Sequence, residues 1–194
     1  MTERNASAGG GRRTTAETQD RIRNAAVDAF MERGYDGVGL REIAKRAGVD
    51  PRLVGHYFGS KEGLFAEALE LTMEMPSVGR KESAAAFLAQ LRSERSMAGL
   101  LMTIRSTSNP QAVEIMREMI EHRFQHGLAD QLLGEQRHER AALILAIGIG
   151  ILVMREVIGV AALNGDVTGL TPYLEAVFEA VEDGPAVDRP EATT

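Results

Sequence analysis

The sequence predicts an all-α fold with an N-terminal three-helix helix-turn-helix unit and a longer C-terminal helical domain. In residues 38–61, apolar side chains recur at three- and four-residue spacing and glycines separate the runs. Farther along, Gly, Pro and Asn residues separate helical patterns near residues 83–94, 96–108, 111–133, 136–164 and 170–182. We therefore expect about nine helices in all.

The first helix is predicted from Thr14, because Thr14 and Glu17 have the spacing of a capping box. Its inner face is a stripe of apolar residues, and Gly34 is expected to end it. The stripe consists of Ile22, Ala25, Ala26, Ala29 and Phe30. Residues 14 to about 75 are expected to form a four-helix unit that stops before Pro76.

The second helix is short and is predicted to end at Gly48, which can adopt the left-handed backbone of a helix end. Its buried face is formed by Leu40, Ile43, Ala44 and Ala47. The third helix follows at once, with Asp50 as its N-cap and Pro51 in its first turn.

The two faces of the third helix differ in character. Val54, Tyr57 and Phe58 point one way, whereas Arg52, Gly55 and His56 share the opposite face. Gly59 is expected to end this helix and Ser60 to cap the next. The pattern is typical of a helix-turn-helix that places one helix in a DNA groove, although an ordinary helical hairpin has similar spacing.

The run REIAKRAGV followed by DPRLVGHYFGSKEGLF resembles the TetR/AcrR family of bacterial transcriptional regulators over roughly residues 15–70. The resemblance implies a homodimer with a DNA-binding domain, here residues 14–60, and a ligand-binding and dimerisation domain, here residues 61–182. It also implies a repressor that a small molecule, here expected to be largely apolar, releases from a palindromic operator in double-stranded DNA.

The resemblance assigns DNA contacts to eight positions of this chain: Arg41, Pro51, Arg52, Leu53, Gly55, His56, Tyr57 and Lys61. Three positions depart from the commoner family pattern. Gly39 stands where Ser or Thr often caps the second helix, Leu53 where Thr is frequent, and Gly55 where Tyr is frequent. These departures leave the reading face with fewer polar side chains.

Charge and composition fit this interpretation only in part. The net charge is −6, but residues 12–61 hold 10 Lys and Arg against 7 Asp and Glu, so the N-terminal part is mildly basic. The chain has no cysteine and no N-terminal apolar signal region, and we expect a cytoplasmic protein. Residues 1–13 and 183–194 are predicted to be disordered tails, with Arg12 and Arg13 as an alternative minor-groove arm.

Residues 141–154 are apolar on every side, which requires burial all round the helix. The segment is too short to span a membrane, which needs about 20 residues. We expect a homodimer interface through about residues 136–182. A central helix of a monomer is the alternative.

The ligand-binding residues are predicted from methionines and polar side chains on or beside apolar stripes. The candidates are Met102, Arg105, Met119, His122, Arg123 and Met154. For the methionines the alternative is core packing, and for Arg105 and Arg123 it is a solvated helix edge. Arg155 is either a ligand contact or a buried partner of a glutamate such as Glu156 of the other subunit.

Other kinds of site have less support in the sequence. Glu118, His122 and His126 share one helix face, which suits either a metal or a solvated pocket rim, and we expect no metal. The sequence holds no phosphate loop, Ser-His-Asp order or paired-carboxylate signature, so we expect no enzyme activity and no cofactor. The alternative function is a helical small-molecule-binding protein with a vestigial DNA-binding unit.

Overall fold

The computed structural model describes residues 8–73, 89, 93–164 and 168–183, and within these ranges every regular element is helical. The described residues fall into two compact units. The first holds the chain up to residue 73 together with Ala98–Arg117, and the second holds Glu118 onward with the residues just before Ala98. The predicted all-α fold is confirmed.

The first unit begins with four helices: α1 (Ala8–Arg33), α2 (Leu40–Ala47), α3 (Pro51–Phe58) and α4 (Lys61–Thr72). The predicted inner faces form its core, because Ile22, Phe30, Ile43, Val54 and Phe65 are fully buried. The Phe65 ring packs edge-on against Phe30 and Tyr35 at centroid distances of 5.0 and 5.1 Å. These aromatic contacts join α4 to the end of α1.

The start of α1 differs from the prediction. The helix begins at Ala8, so Thr14 lies inside it and the predicted N-cap at that position is wrong. The helix also extends into the segment predicted as a disordered tail, and residues 1–7 of that tail lie outside the described residues. Once a helix exists, each added residue gains one backbone hydrogen bond, so propagation past a local cap signal is inexpensive.

The end of α1 requires glycine for two reasons. Gly34 has φ 67°, the left-handed region, and its N–H donates to the carbonyl oxygen of Phe30 at 2.8 Å. A Cβ at this position would also collide with the carbonyl oxygen of Arg105. Gly34 thus ends the helix and admits the close approach of a later segment.

That later segment comprises α5 (Glu94–Ser106) and α6 (Pro110–Met119). The Oγ of Ser106 accepts a hydrogen bond from the Tyr35 N–H at 3.0 Å. Asn109 caps α6 and donates to Asp36 at 2.7 Å. The first compact unit contains α4 and residues 98–117, and the domain boundary after residue 60 stays a prediction.

Two segments that the sequence predicts as continuous helices are each divided in the structure. The predicted 111–133 helix passes from α6 through a π-helical turn, Ile120–Gln125, into α7 (His126–Ala129). The predicted 136–164 helix consists of α8 (Arg137–Leu152), a second π-helical turn (Val153–Val157) and α9 (Ala161–Asn164). Gly159, at φ 75°, lies in the break between the last two.

A 3-10 turn (Thr168–Leu170) leads into α10 (Thr171–Asp183), as the Thr171-Pro172 pair suggests. The core of the second unit is formed by Leu128, Ala129, Leu132, Ala141, Ile144 and Phe178. The predicted helix at 83–94 lies mostly outside the described residues. Within the described ranges, no helix has the length and apolarity that crossing a membrane requires.

Candidate nucleic-acid interface

The turn between α2 and α3 is built as the sequence predicts. Gly48 has φ 63° and its N–H donates to the carbonyls of Ala44 and Lys45, which ends α2. The Asp50 carboxylate accepts a hydrogen bond from the Arg52 N–H at 2.8 Å, and Pro51 occupies the first turn of α3. These local hydrogen bonds fix where α3 begins and which side chains it exposes.

The predicted reading face of α3 is exposed. Arg52, Gly55 and His56 are open to solvent, as is Arg41 at the start of α2. In the part of the chain that the structure describes, the guanidinium groups of Arg41 and Arg52 have no protein partner. By contrast, Arg23, Arg33 and Arg46 all form ion pairs. Two cationic side chains thus remain available on one surface.

The opposite face of α3 anchors the helix. Val54 is fully buried, and Leu53, Tyr57 and Phe58 are half-buried. The His56 and Tyr57 rings meet edge-on at 5.2 Å, which limits how far the His56 ring can move. Leu53 and Tyr57 therefore border the exposed face.

Lys61 and Tyr35 meet where α4 begins. The Lys61 ammonium lies 4.3 Å from the centroid of the Tyr35 ring, a cation–π contact. The Tyr35 hydroxyl donates to the Glu62 carboxylate at 2.8 Å. Burial, and then this hydrogen bond, raise the pKa of Tyr35, while the Ser60 hydroxyl is the largest cause of the lowered pKa of Glu62. Lys61 thus has a defined resting position.

Two arginines of α1, Arg21 and Arg23, contact the helix-turn-helix, and the sequence pattern does not predict these contacts. Arg21 donates to the carbonyls of Ala47 and Gly48, the second at 3.1 Å, at the C-terminal end of α2. Arg23 donates to Glu67 at 2.7 Å, which raises the pKa of Arg23, and it lies 5.5 Å from the Phe58 ring centroid. The spacing of charged residues within α1 is the one sequence signal that could have predicted these contacts.

The two unusual glycines of the motif have open space around them. A Cβ at Gly39 or Gly55 would meet no heavy atom within 4 Å. Gly39 leaves α2 without a side-chain N-cap. The surface would therefore accommodate larger polar residues at both positions, and their absence reduces the number of groups that can contact DNA.

Two protein-family models match this chain. The model of the bacterial regulatory proteins of the tetR family matches residues 22–68, and the model of the tetracyclin repressor-like C-terminal domain matches residues 79–168. The chain belongs to the TetR family. The first match runs from within α1 into α4 and includes the whole helix-turn-helix. The second match covers a part of the chain that lies C-terminal to it.

Individual TetR-family relatives resemble the N-terminal part most. The regulatory protein RaaS of Mycobacterium tuberculosis is 61% identical over 44 residues, 23% of this chain and 20% of that protein. The repressor NicS of Pseudomonas putida is 42% identical over 53 residues, 27% of this chain and 25% of that protein. The chain thus matches only a quarter or less of these curated relatives.

One solved structure extends the likeness over the whole fold. A TetR-family regulator from Streptomyces coelicolor is 25% identical, with a TM-score of 0.53. The match covers 94% of this chain and 100% of that one. Proteins of this family are transcriptional regulators and not enzymes, as the sequence predicts.

The six ligand-binding candidates of this TetR-family chain lie in different places. Met102 is fully buried in the first unit, where Arg105 donates to the carbonyls of Met31 and Glu32 at the end of α1. Met119, His122, Arg123 and Met154 lie in the second unit, on or beside the two π-helical turns. No single compact unit therefore brings all six together.

Three histidines of the second unit lie together, one pair stacked and one pair edge-on. The His122 and His126 rings lie 5.6 Å apart and nearly parallel, and His138 of α8 meets His126 at 4.9 Å. Across the described residues, no group of three or more His, Cys, Asp or Glu side chains is arranged to hold a metal.

Proposed function

We propose that this chain is a dimeric transcriptional repressor that binds a palindromic operator in double-stranded DNA and is released by a small, largely apolar molecule. The observation that carries the proposal is the exposed face of α2 and α3, where Arg41 and Arg52 have no protein partner in the described chain. An arginine in the major groove commonly binds guanine through two hydrogen bonds.

The remaining contacts follow from where the side chains lie. Pro51, Gly55 and His56 allow the N-terminal part of α3 to approach base edges closely, while Leu53 offers apolar contact to a thymine methyl group. Tyr57 and Lys61 border this face and are proposed to bind the phosphate backbone. Binding is expected to depend only modestly on salt, because few cations face the DNA.

Homodimer formation is supported by apolar side chains that a single chain leaves uncovered. On α8, the second π-helical turn, the residue after it and α10, seven large apolar side chains are between 42% and 72% exposed. They are Leu143, Ile149, Met154, Val157, Ile158, Tyr173 and Val177. Such a surface is typical of an interface, and a two-fold dimer suits a palindromic operator. A repressor of this kind acts in the cytoplasm, where the bacterial chromosome lies.

Release by a ligand requires that the ligand bind the DNA-free conformation more tightly than the DNA-bound one. The pairing of α5 with the end of α1 gives the first unit a rigid link between its motif and Ala98–Arg117. We propose that ligand binding changes the separation of the two α3 helices from the one-turn spacing of about 34–36 Å.

The proposal is tested by incubating the full-length protein with random genomic fragments and sequencing those retained. Enrichment of one palindrome, with half-sites one helical turn apart, is expected. Retention of no fragment at low salt would instead favour a small-molecule-binding protein with a vestigial DNA-binding unit. A reporter gene placed behind the palindrome then separates repression from activation.

A further inference from the structure

The turn that precedes α3 is held from α1 by Arg21. One terminal nitrogen of its guanidinium donates to the carbonyl oxygens of Ala47 and Gly48, the second at 3.1 Å. A Cβ at Gly48 would lie 2.9 Å from this nitrogen, so glycine admits the close approach. Carbonyls at the C-terminal end of a helix lack partners within the helix, and a cation is favoured there. Arg21 therefore ties α1 to the turn that sets where α3 begins.

The other end of α3 is held from the same helix by Arg23. The guanidinium carbon lies 5.5 Å from the ring centroid of Phe58, the last residue of α3. Two carboxylates orient the guanidinium, because Nε donates to Glu67 of α4 at 2.7 Å and a terminal nitrogen donates to Asp20 at 3.1 Å. The Arg23 side chain is 25% exposed and contacts groups of α1, α3 and α4.

The packing of α3 alone does little to fix its direction. Of its eight residues, all of which the structure describes, Val54 is the one that is buried, and three others are half-buried. Few buried apolar contacts are typical of an element with low local stability. Arg21 and Arg23 act at opposite ends of α3. Their contacts, which we call the α1 clamp, therefore oppose any tilt of the helix about Val54.

We propose that Arg21 and Arg23 are positioning residues for DNA reading, because the α1 clamp fixes the direction in which α3 presents Arg52. This inference rests on the proposed function, since it requires a base for Arg52 to contact. A guanidinium binds guanine through two hydrogen bonds, and each weakens steeply as it bends. Supporting side chains must hold such a contact to within about 0.5 Å. Contacts to phosphate carry no sequence information, so loss of the clamp should reduce specific binding most.

The ratio of specific to non-specific affinity separates positioning from a direct phosphate contact and from a loss of folding. Fluorescence anisotropy measures the binding of full-length protein to the selected palindrome and to a scrambled duplex of the same length. Arg21→Met should weaken palindrome binding about tenfold and scrambled-duplex binding less than about twofold. Arg117→Met, which removes an exposed arginine of α6, is the matched control and should change neither affinity.

Two results of this measurement would overturn the role of Arg21. A direct phosphate contact would weaken binding to both duplexes and reduce the salt slope of log affinity by about 1. A purely structural role would leave both affinities unchanged in folded protein, or weaken both equally where part of the protein is unfolded. Circular dichroism measures the folded fraction of each variant.

Charge and position predict opposite results at Arg23. Arg23→Met removes a cation, whereas Glu67→Met removes a carboxylate and makes the protein more positive. Long-range attraction to DNA would weaken in the first variant and strengthen in the second. The α1 clamp instead predicts weaker palindrome binding in both, about tenfold and about threefold, because Asp20 still orients Arg23 in the second.

Tighter or unchanged palindrome binding by Glu67→Met would overturn the role of Arg23. This variant also guards against misfolding, because the Glu67 side chain is 43% exposed and its replacement leaves both arginines in place. Glu114→Met, which removes an exposed carboxylate of α6, is the matched control and should not weaken binding.

Hydrogen exchange of the full-length protein without DNA measures the hold on α3 directly. Amides of residues 53–58 should exchange at least about threefold faster in Arg21→Met and Arg23→Met, while those of α10 keep their rates. Unchanged exchange in α3 would overturn the α1 clamp even where a palindrome has been selected. If the unmodified protein selects no palindrome, the proposed function fails and the DNA role of both arginines fails with it. Faster exchange would then still show that they hold α3, so the two failures are distinguishable.

Discussion

The Arg105 guanidinium donates to the main-chain carbonyl oxygen of Glu32 at 2.8 Å, across more than seventy residues of chain. The same group also donates to the Met31 carbonyl, so one side chain satisfies two acceptors at the C-terminal end of α1. A positive charge at that end is favourable to the helix dipole. Arg105 therefore fastens α5 to the helix that leads into the DNA-binding motif.

Replacing Arg105 with methionine should lower the free energy of unfolding by about 1–2 kcal/mol, because two carbonyls lose a charged donor. Urea denaturation followed by circular dichroism measures the change. Arg117→Met is the matched control. Among the described residues, the exposed Arg117 pairs only with Glu114 one turn away, so this change should cost less than about 0.5 kcal/mol. Equal losses in the two variants would contradict the role of Arg105.

Replacing Gly55 with alanine should stabilise the protein by about 1 kcal/mol, because glycine inside a helix costs that much relative to alanine. The new methyl group would meet no atom within 4 Å. Gly34→Ala should do the opposite, since its φ of 67° disfavours a side chain and a Cβ would collide with Arg105. Thermal unfolding of the two variants measures both shifts, and a loss of stability in Gly55→Ala would show that this backbone is not helical in solution.

Replacing Tyr35 with phenylalanine should lower the free energy of unfolding by about 1 kcal/mol near pH 7, through loss of the hydrogen bond to Glu62. The pKa of Glu62 is lowered on folding. Its contribution to the free energy of unfolding is therefore present above the unfolded pKa of about 4.3 and is lost as pH falls through the folded pKa. The difference between the two proteins should shrink in acid.

At alkaline pH the stability difference between the two proteins depends on the ionisation of Tyr35. Its pKa is raised on folding, so the contribution is complete below about pH 10 and decreases as pH rises further. Denaturant titrations at several pH values measure the profile. Tyr57→Phe, which removes a hydroxyl without a protein partner in the described chain, should show no such dependence.

Arg140 has a similar role in the second unit. It is 7% exposed and donates to the carbonyls of Leu133, Val181 and Glu182, the last at 2.6 Å. Arg140→Met should cost about 2 kcal/mol, because acceptors at the end of α10 lose a charged donor. Hydrogen exchange should accelerate in residues 171–183 but not in α1–α4, whereas the exposed Arg137→Met should leave both unchanged.

The features that the sequence predicts correctly are those decided by neighbouring residues. The end of α2 and the starts of α3 and α4 follow from Gly48, Asp50 and Ser60 respectively, whose hydrogen bonds reach only a few positions along the chain. The same locality explains why the inner faces of α1 to α4 were predictable from spacing.

The features that sequence reasoning missed depend on distant partners or on cooperative effects. Arg105 and Arg140 were not recognised as donors to helix ends, because their acceptors lie far away in sequence. The π-helical turns have no simple residue signature, and they divide segments that read as continuous helices.

The central claim is that the exposed face of α3 reads DNA, and the binding of the selected palindrome to an Arg52→Ala variant tests it most directly. Fluorescence anisotropy at fixed salt should show affinity reduced about 10- to 100-fold, with relaxed preference at one base position. Adding Arg41→Ala should weaken binding further, while Arg117→Ala should bind as the unmodified protein does. Undiminished binding by the Arg41→Ala, Arg52→Ala double variant would contradict the assignment of this surface to DNA.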